Sequence, residues 1–485
     1  MKYHTVTLGC QMNKSDSERV NAVIESMGYR WTDNEEEAEL LGIIACSVRQ
    51  KAIDKVYSKI YKWNKWKNKR SLITFVTGCV LPADREKFLK QFDMIFQVCD
   101  LVEFPKMLHQ YGVVTPFTVG QLSESKEARI ENGEPNVGFS AIVLDNQKKT
   151  IVGLPVPLKQ PEKRITGFWH VEPHYQSNFE AFIPIQNGCD KFCTYCAVPY
   201  TRGREISRPS SEILEEIKNL ISSGYKSITL LGQNVNSYGL DKKGDEISFP
   251  QLLQKIGEIG NISGKDFWVY FTSPHPRDMS DEVLQVMAQY NCLAKQIHLP
   301  LQSGDDVVLI RMNRNHKMED YRKIVKSIRR ILPDATLFTD IIVGFTGETD
   351  EQFLNTYKAM EEIRFNMAYI ARYSPRPGAA SSRWNDDVSF EVKKQRLHKL
   401  STLLQSHSHI LNRGMTGKTF KVLVINNDRK DGYLSGVTEG KIIVRFATNN
   451  KVLTGHFVEV RITSAADFSV EGELIKIYDE EPAIA

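Results

Sequence analysis

The sequence predicts an α/β protein in three parts: an N-terminal parallel α/β sheet, a central curved parallel α/β sheet, and a small C-terminal β-barrel. Three observations carry this. Short β-branched runs alternate with helix-like polar stretches from residue 1 to about 110, and six further strand–helix repeats fill roughly 179–412. From about 413 to 478 the pattern changes to alternating strands separated by turn residues. The composition, 41% hydrophobic and 25% charged over 485 residues, is that of an ordinary globular chain. A net charge of +4 permits a nucleic-acid partner without requiring one. The opening MKYHTVTLGC lacks a signal-peptide apolar core, and no run of about 18 apolar residues predicts a membrane span, so a cytoplasmic location is expected. Eight cysteines in such a chain argue for metal or catalytic chemistry over a disulfide framework.

In the first part, Cys10 ends YHTVTLGC, Cys46 ends ELLGIIAC and Cys79 ends SLITFVTGC. Each cysteine closes a β-branched run and precedes a helix-like stretch, of which Ser15–Met27 and Arg49–Trp66 are the clearest. The intervals of 36 and 33 residues suit successive strand–helix units of a parallel sheet. Ligand groups gather at the carboxyl ends of such strands, so all three thiols are expected on one edge. Residues 51–70 carry eight basic side chains against Asp54 alone. There Val56, Ile60 and Trp63 fall on one helical face, expected in the core, and the basic face with its aromatics is a candidate RNA contact. Residues 111–178 read as an irregular connector, with a weak hairpin pattern around GFSAIVL.

The central strands are expected at Ala181–Gln186, Lys226–Leu231, Phe267–Thr272, Gln296–Leu301, Thr336–Val343 and Ala368–Tyr373. Cys189, Cys193 and Cys196 follow the first of them in the spacing C-x3-C-x2-C. Three thiolates this close can bind one iron–sulfur cluster through three corners, whereas a closed zinc site asks for a fourth ligand that is absent nearby. The fourth iron is then open to a small molecule. The alternative is a three-cysteine zinc loop or a chance cluster. Loops after the other strands, such as GQNVNSYG (232–239), SPHPRDM (273–279) and QSGDD (302–306), are rich in glycine and small polar residues. His275 and His298 are candidate general acids or RNA contacts, more often explained as satisfied structural histidines. Cys99 and Cys292 match no motif and are read as core thiols. After a helix over Val392–Asn412, five alternating strands make up the final barrel, where Arg413, Lys418, Lys421, Arg429, Lys430 and Lys441 offer basic charge and Tyr433 a stacking ring.

The C-x3-C-x2-C motif after a strand resembles the signature of the radical S-adenosylmethionine (SAM) enzymes, with Tyr195 at the aromatic position beside the adenine. That resemblance implies an open (βα)6 partial barrel at 179–412. Gly9-Cys10-Gln11-Met12-Asn13, Cys46-Ser47-Val48-Arg49 and Gly78-Cys79 resemble the N-terminal domain of the methylthiotransferases, in the MiaB-type branch. PYTRGREISRPS (199–210), LLGQNVNSYG (230–239), FTSPHP (271–276) and HLPLQSG (298–304) extend the match. Two departures stand out: Ile44-Ala45 where that family commonly has Asn-Thr, and Pro274 inside the SPHP loop. The final 65 or so residues resemble a TRAM domain, an OB-like RNA-binding module.

The resemblance implies two [4Fe–4S] clusters, the radical SAM cluster on Cys189, Cys193 and Cys196 and an auxiliary one on Cys10, Cys46 and Cys79. It places SAM near Tyr195, Gly232, Gln233, Asn234, Gln302, Ser303, Val343 and Glu348, and RNA near Arg413, Lys418, Lys421 and Tyr433. The implied reaction is methylthiolation of tRNA at C2 of N6-isopentenyladenosine, next to the anticodon at position 37. The unactivated C2–H bond explains the need for a radical. Implied partners are the tRNA anticodon stem-loop, an electron donor such as flavodoxin or ferredoxin, and a sulfur and cluster supply system, with the enzyme a monomer. The alternatives are a sibling methylthiotransferase acting on threonylcarbamoyl-adenosine or a ribosomal-protein aspartate, and a non-catalytic Fe–S RNA-binding or redox-sensing protein.

Overall fold

The computed structural model describes residues 1–46, 50–110, 142–145, 150–153, 161–448 and 450–478. The chain forms two compact units, one of Met1–Gln176 with Cys196–Arg208, the other of Ser177–Tyr195 with Pro209–Ala485.

The first unit is built on a seven-stranded sheet. Its strands are β1 (Lys2–Thr7), β2 (Arg30–Trp31), β3 (Leu40–Cys46), β4 (Ile73–Cys79), β5 (Met94–Ile95), β6 (Ile142–Asp145) and β7 (Thr150–Gly153). They lie in the order β2-β1-β3-β4-β5-β7-β6, parallel throughout except for β6 on β7. β3 is apolar at nearly every position because both of its faces are covered. Leu40 and Ile44 pack with Val20 and Ile24 of the helix Gln11–Ser26, while Leu41, Ile43 and Ala45 pack with Val56, Ile60 and Trp63 of the helix Gln50–Lys67. The expected apolar face of that second helix is thus in the core. Its Tyr61 is exposed, with the Lys65 ammonium over the ring.

Part of the stretch read as an irregular connector is ordered. Strands β6 and β7 form a hairpin on the sheet edge, and Pro161–Trp169 is a helix. Ile165, Phe168 and Trp169 bury against the sheet, and Arg164 pairs with buried Asp100. The signal was the i, i+3, i+4 spacing of those three residues. The remainder of 111–160 lies outside the described residues.

The second unit starts with six parallel strands in chain order: β8 (Glu180–Pro184), β9 (Ser227–Leu231), β10 (Trp268–Phe271), β11 (Gln296–His298), β12 (Thr336–Val343) and β13 (Met367–Arg372). They pair as two groups of three, joined by a parallel bridge between Val269 and Leu293. The strand expected to reach Leu301 stops at His298, because Pro300 has no N–H to continue the ladder. The helix Phe390–Arg413 then leads into a closed five-stranded barrel. Its strands are β14 (Thr419–Asn427), β15 (Tyr433–Thr438), β16 (Ile443–Ala447), β17 (Phe457–Ala465) and β18 (Ser469–Ile477). Val422, Val424, Leu434, Val444, Phe446, Val458 and Val470 fill the barrel. Leu423 and Phe457 face the other way and pack on Trp268, Tyr270 and Ala294, with the Phe457 ring 4.7 Å from Trp268.

Candidate functional site

In the first unit the strand order places β1 beside β3, the point at which the winding of the sheet reverses. Ligands of open parallel sheets sit at the carboxyl ends of strands at such a reversal. Cys10 follows β1 there, and Cys46 and Cys79 are the last residues of β3 and β4, directly opposite each other in register. Cys10 also stands at the N-cap of the helix Gln11–Ser26. Buried Asn13 braces the group. Its Oδ1 accepts from the Cys10 N–H at 3.4 Å, and its Nδ2 donates to the Ala45 carbonyl at 3.2 Å.

Two glycines make this close approach possible. A Cβ on Gly9 would lie 2.2 Å from Asn13 Oδ1 and 2.9 Å from Cys46 Cβ. Gly78 sits at φ +105°, and a Cβ there would meet the Ala45 carbonyl oxygen at 2.4 Å. Ile44 and Ala45 are fully buried on the two faces of β3 and leave the backbone to hold Asn13.

Cys46 and Cys79 are buried, Cys10 exposed. Burial pushes the Cys79 thiol up to about 12, against the pull of the Arg202 guanidinium. Arg202 Nε donates to Cys79 Sγ at 3.0 Å, and its Nη2 pairs with buried Asp16. Arg202 ends the short helix Val198–Arg202, six residues after Cys196. Among the described residues, no three of His, Cys, Asp and Glu converge on a single ion-sized point. An iron–sulfur cube takes its thiolates at separate corners, and an all-thiol donor set beside a guanidinium fits such a group.

In the second unit the loop carrying Cys189 and Cys193 is fixed by neighbours on four sides. Gln233 Oε1 accepts the Gly188 N–H at 2.5 Å, and Lys191 pairs with Asp278 at 2.5 Å. Asn313 Nδ2 donates to the Lys191 and Phe192 carbonyls, and Thr194 bonds to the Arg311 and Met312 carbonyls. Buried Arg314 donates to the Pro300 carbonyl at 2.8 Å and reaches Cys193 Sγ at 3.6 Å. Both cysteines are nearly enclosed. Burial raises the Asp278 carboxyl, but Lys191 and Asn234 outweigh it and hold it below the usual carboxylate range.

The sequence-derived SAM candidates fall into two groups. Gly232, Gln233 and Asn234 lie behind this loop, where Asn234 Nδ2 donates to Ser237 and Asp278. Asn234 Oδ1 and Gln186 Oε1 are buried without a hydrogen-bond partner. Tyr195 packs on Val308, Met312, Phe345 and Tyr373. Val343 ends β12, and Gln302 is buried at φ +69° with its N–H on the Asp340 carbonyl. Ser303 and Glu348 have local partners. The Ser303 hydroxyl meets Thr356 at 3.3 Å, while Glu348 Oε2 accepts from Gly344 N and from Arg396 Nη1 at 2.8 Å. Burial pushes Glu348 up despite Arg396.

His275 is buried and held well below the usual imidazole range, by burial first and then by Arg314. Its Nδ1 accepts the Arg277 N–H at 3.2 Å. His298 pairs with Asp340 at 3.0 Å. Of the barrel candidates, Arg413 and Lys418 are exposed. Lys421 instead pairs with Asp266 and covers Phe457, and Lys441 lies over Tyr270 at 4.1 Å, so these two tie the barrel to the six-stranded sheet. Tyr433 lies under the Lys430 ammonium at 3.7 Å.

Sequence reasoning missed Arg202, Asp16, Asn313 and Arg314. Polar residues in loops and on a helix flank give no periodic signal; only the fold shows which of them turn inward.

Residues 183–360 match the model of the Radical SAM superfamily, and residues 2–100 that of uncharacterized protein family UPF0004. A Clostridium perfringens protein named tRNA-2-methylthio-N(6)-dimethylallyladenosine synthase is 35% identical over 477 residues, 97% of each chain. A Dictyoglomus thermophilum protein of that name is 35% identical over 483 residues, 99% of each chain. Among solved structures, the apo form of OxsB, a cobalamin-dependent S-adenosylmethionine radical enzyme, shares the fold at a TM-score of 0.50 with 13% identity, over 82% of this chain and 56% of that one. With full-length relatives at this identity, the chain belongs to the tRNA-2-methylthio-N(6)-dimethylallyladenosine synthase family of radical SAM enzymes.

Proposed function

We propose that this enzyme methylthiolates tRNA at C2 of N6-isopentenyladenosine beside the anticodon, using two [4Fe–4S] clusters and SAM. The observation that carries the two-cluster reading is the convergence of Cys10, Cys46 and Cys79 at the ends of β1, β3 and β4. The names of the relatives support the isopentenyl substrate over the threonylcarbamoyl and ribosomal-protein alternatives. When bound, clusters with an open iron and SAM supply the radical and sulfur chemistry that the unactivated C–H bond demands.

The chain's own residues do the rest. Cys189, Cys193 and Cys196 hold the cluster that takes SAM, and Cys10, Cys46 and Cys79 hold the auxiliary one. Gln233, Lys191, Asn313 and Thr194 keep the first cysteine loop in one conformation, so little reorganisation is left for binding. The orphaned oxygens of Asn234 and Gln186 are acceptors suited to a cationic amine such as that of SAM. Arg413 and Lys418, with the basic face of Gln50–Lys67, supply phosphate contacts to the anticodon stem-loop. Electrons come from a small reductant of the flavodoxin or ferredoxin kind in the cytoplasm, and the enzyme acts as a monomer.

The test separates the two cysteine sets. Cys193→Ala is expected to abolish SAM cleavage, whereas Cys46→Ala keeps cleavage and loses thiolation, each read by the yield of 5′-deoxyadenosine and by nucleoside mass. Normal thiolation by Cys46→Ala would remove the auxiliary cluster from the account.

A further inference from the structure

Arg202 has a duty that the motifs do not assign. Its side chain is only 6% exposed and that of Asp16, its partner, 1%. The guanidinium is shared: Nη1 and Nη2 face the two Asp16 oxygens, while Nε points at Cys79 Sγ at 3.0 Å. The Asp16 carboxylate takes donors from Nη1 and Nη2, and the remaining Nε–H of the buried guanidinium is satisfied by a sulfur that, on the two-cluster reading above, ligates iron. Hydrogen bonds to ligand sulfurs and nearby charge are among the terms that set cluster potentials. Adding an electron makes a cluster more negative, so a fixed cation at a ligand sulfur stabilises the reduced state more than the oxidised one. In a buried site that preference is weakly screened. Asp16 opposes it by neutralising part of the guanidinium charge.

We propose that Arg202 is a positioning residue that raises the reduction potential of the auxiliary cluster through Cys79, with Asp16 as the counter-charge that limits the rise. The segment that follows Cys196 in sequence thereby sets the electronic state of the other cysteine site.

The proposal predicts shifts of opposite sign, which a purely structural ion pair would not give. In the full-length Cys189→Ala/Cys193→Ala/Cys196→Ala background, only the auxiliary cluster remains, and its midpoint is read by EPR-monitored titration with iron analysis. Arg202→Gln is expected to lower the reduced-to-oxidised ratio at fixed potential about tenfold, a shift of about 59 mV to the negative side. Asp16→Asn, which is nearly isosteric and leaves the guanidinium uncompensated, is expected to shift the midpoint positive. Unchanged midpoints, or shifts of the same sign, would overturn the role of Arg202 and leave the second cluster standing. Should Arg202→Gln bind no iron, Asp16→Asn decides alone: a positive shift supports the proposal, and none or a negative one sinks it. A background protein that assembles no cluster would remove the two-cluster reading itself, and this inference with it.

Discussion

Single residues set the tolerances of both cysteine sites. Gly78 combines φ +105° with a carbonyl where its Cβ would go, so Gly78→Ala is expected to cost about 2 kcal/mol or more, read as a lower denaturant midpoint of the apoprotein. The G-C pairs were visible in the sequence, but their reason was not: the glycine before Cys79 is required by the neighbouring strand's backbone. His316 illustrates a different constraint. Burial, then Arg314, lowers its imidazole to about 4, so the folded chain keeps it neutral where the unfolded chain takes up a proton. The unfolded state therefore binds more protons between about pH 6.5 and 4. Stability is complete above that window and falls as the pH drops through it, by up to ~1.4 kcal/mol per pH unit for such a group. His316→Gln is expected to flatten the acid limb of the stability curve; an unchanged limb would mean that other groups carry it. His275 acts in the same sense; its Nδ1 accepts the Arg277 N–H, but its buried Nε2 has no hydrogen-bond partner among the described residues, so it is not the fully satisfied structural histidine expected from sequence.

At the scale of elements, strands were legible wherever β-branched runs met turn residues. β12 falls at Thr336–Val343 as expected, and all five barrel strands lie within a few residues of the runs that predicted them. What the pattern could not show is that one barrel face is also buried. Leu423 and Phe457 face away from the barrel interior and pack on Trp268 and Tyr270. Phe457→Ala is accordingly expected to destabilise the whole second unit by about 3–5 kcal/mol, measurable by chemical denaturation. Truncation of the barrel would for the same reason perturb the six-stranded sheet, and point changes are the better probe of RNA contact. The Arg413→Ala/Lys418→Ala double variant is expected to weaken tRNA binding and to reduce the salt slope by about 1–2, with little change in stability. An unaltered slope would place the phosphate contacts elsewhere.

At the scale of the molecule, the fold class and the family were readable because the cysteines stand at strand ends, where local sequence and parallel-sheet topology agree. The sheet order β2-β1-β3-β4 was not readable, since nothing in a single strand names its neighbour, and that order brings Cys10 to the other two. The helix Pro161–Trp169 does carry an i, i+3, i+4 signal in Ile165, Phe168 and Trp169, but that signal is short, interrupted by Gly167 and preceded by a proline-spaced run, so it is lost within the irregular connector. The central claim is the reaction itself. Its most direct test is nucleoside mass spectrometry of tRNA from a bacterium lacking its own methylthiotransferase, with and without this chain. The account predicts the gain of one methylthio group on N6-isopentenyladenosine; a gain confined to threonylcarbamoyl-adenosine, or no change in any nucleoside from a chain loaded with both clusters, would contradict it.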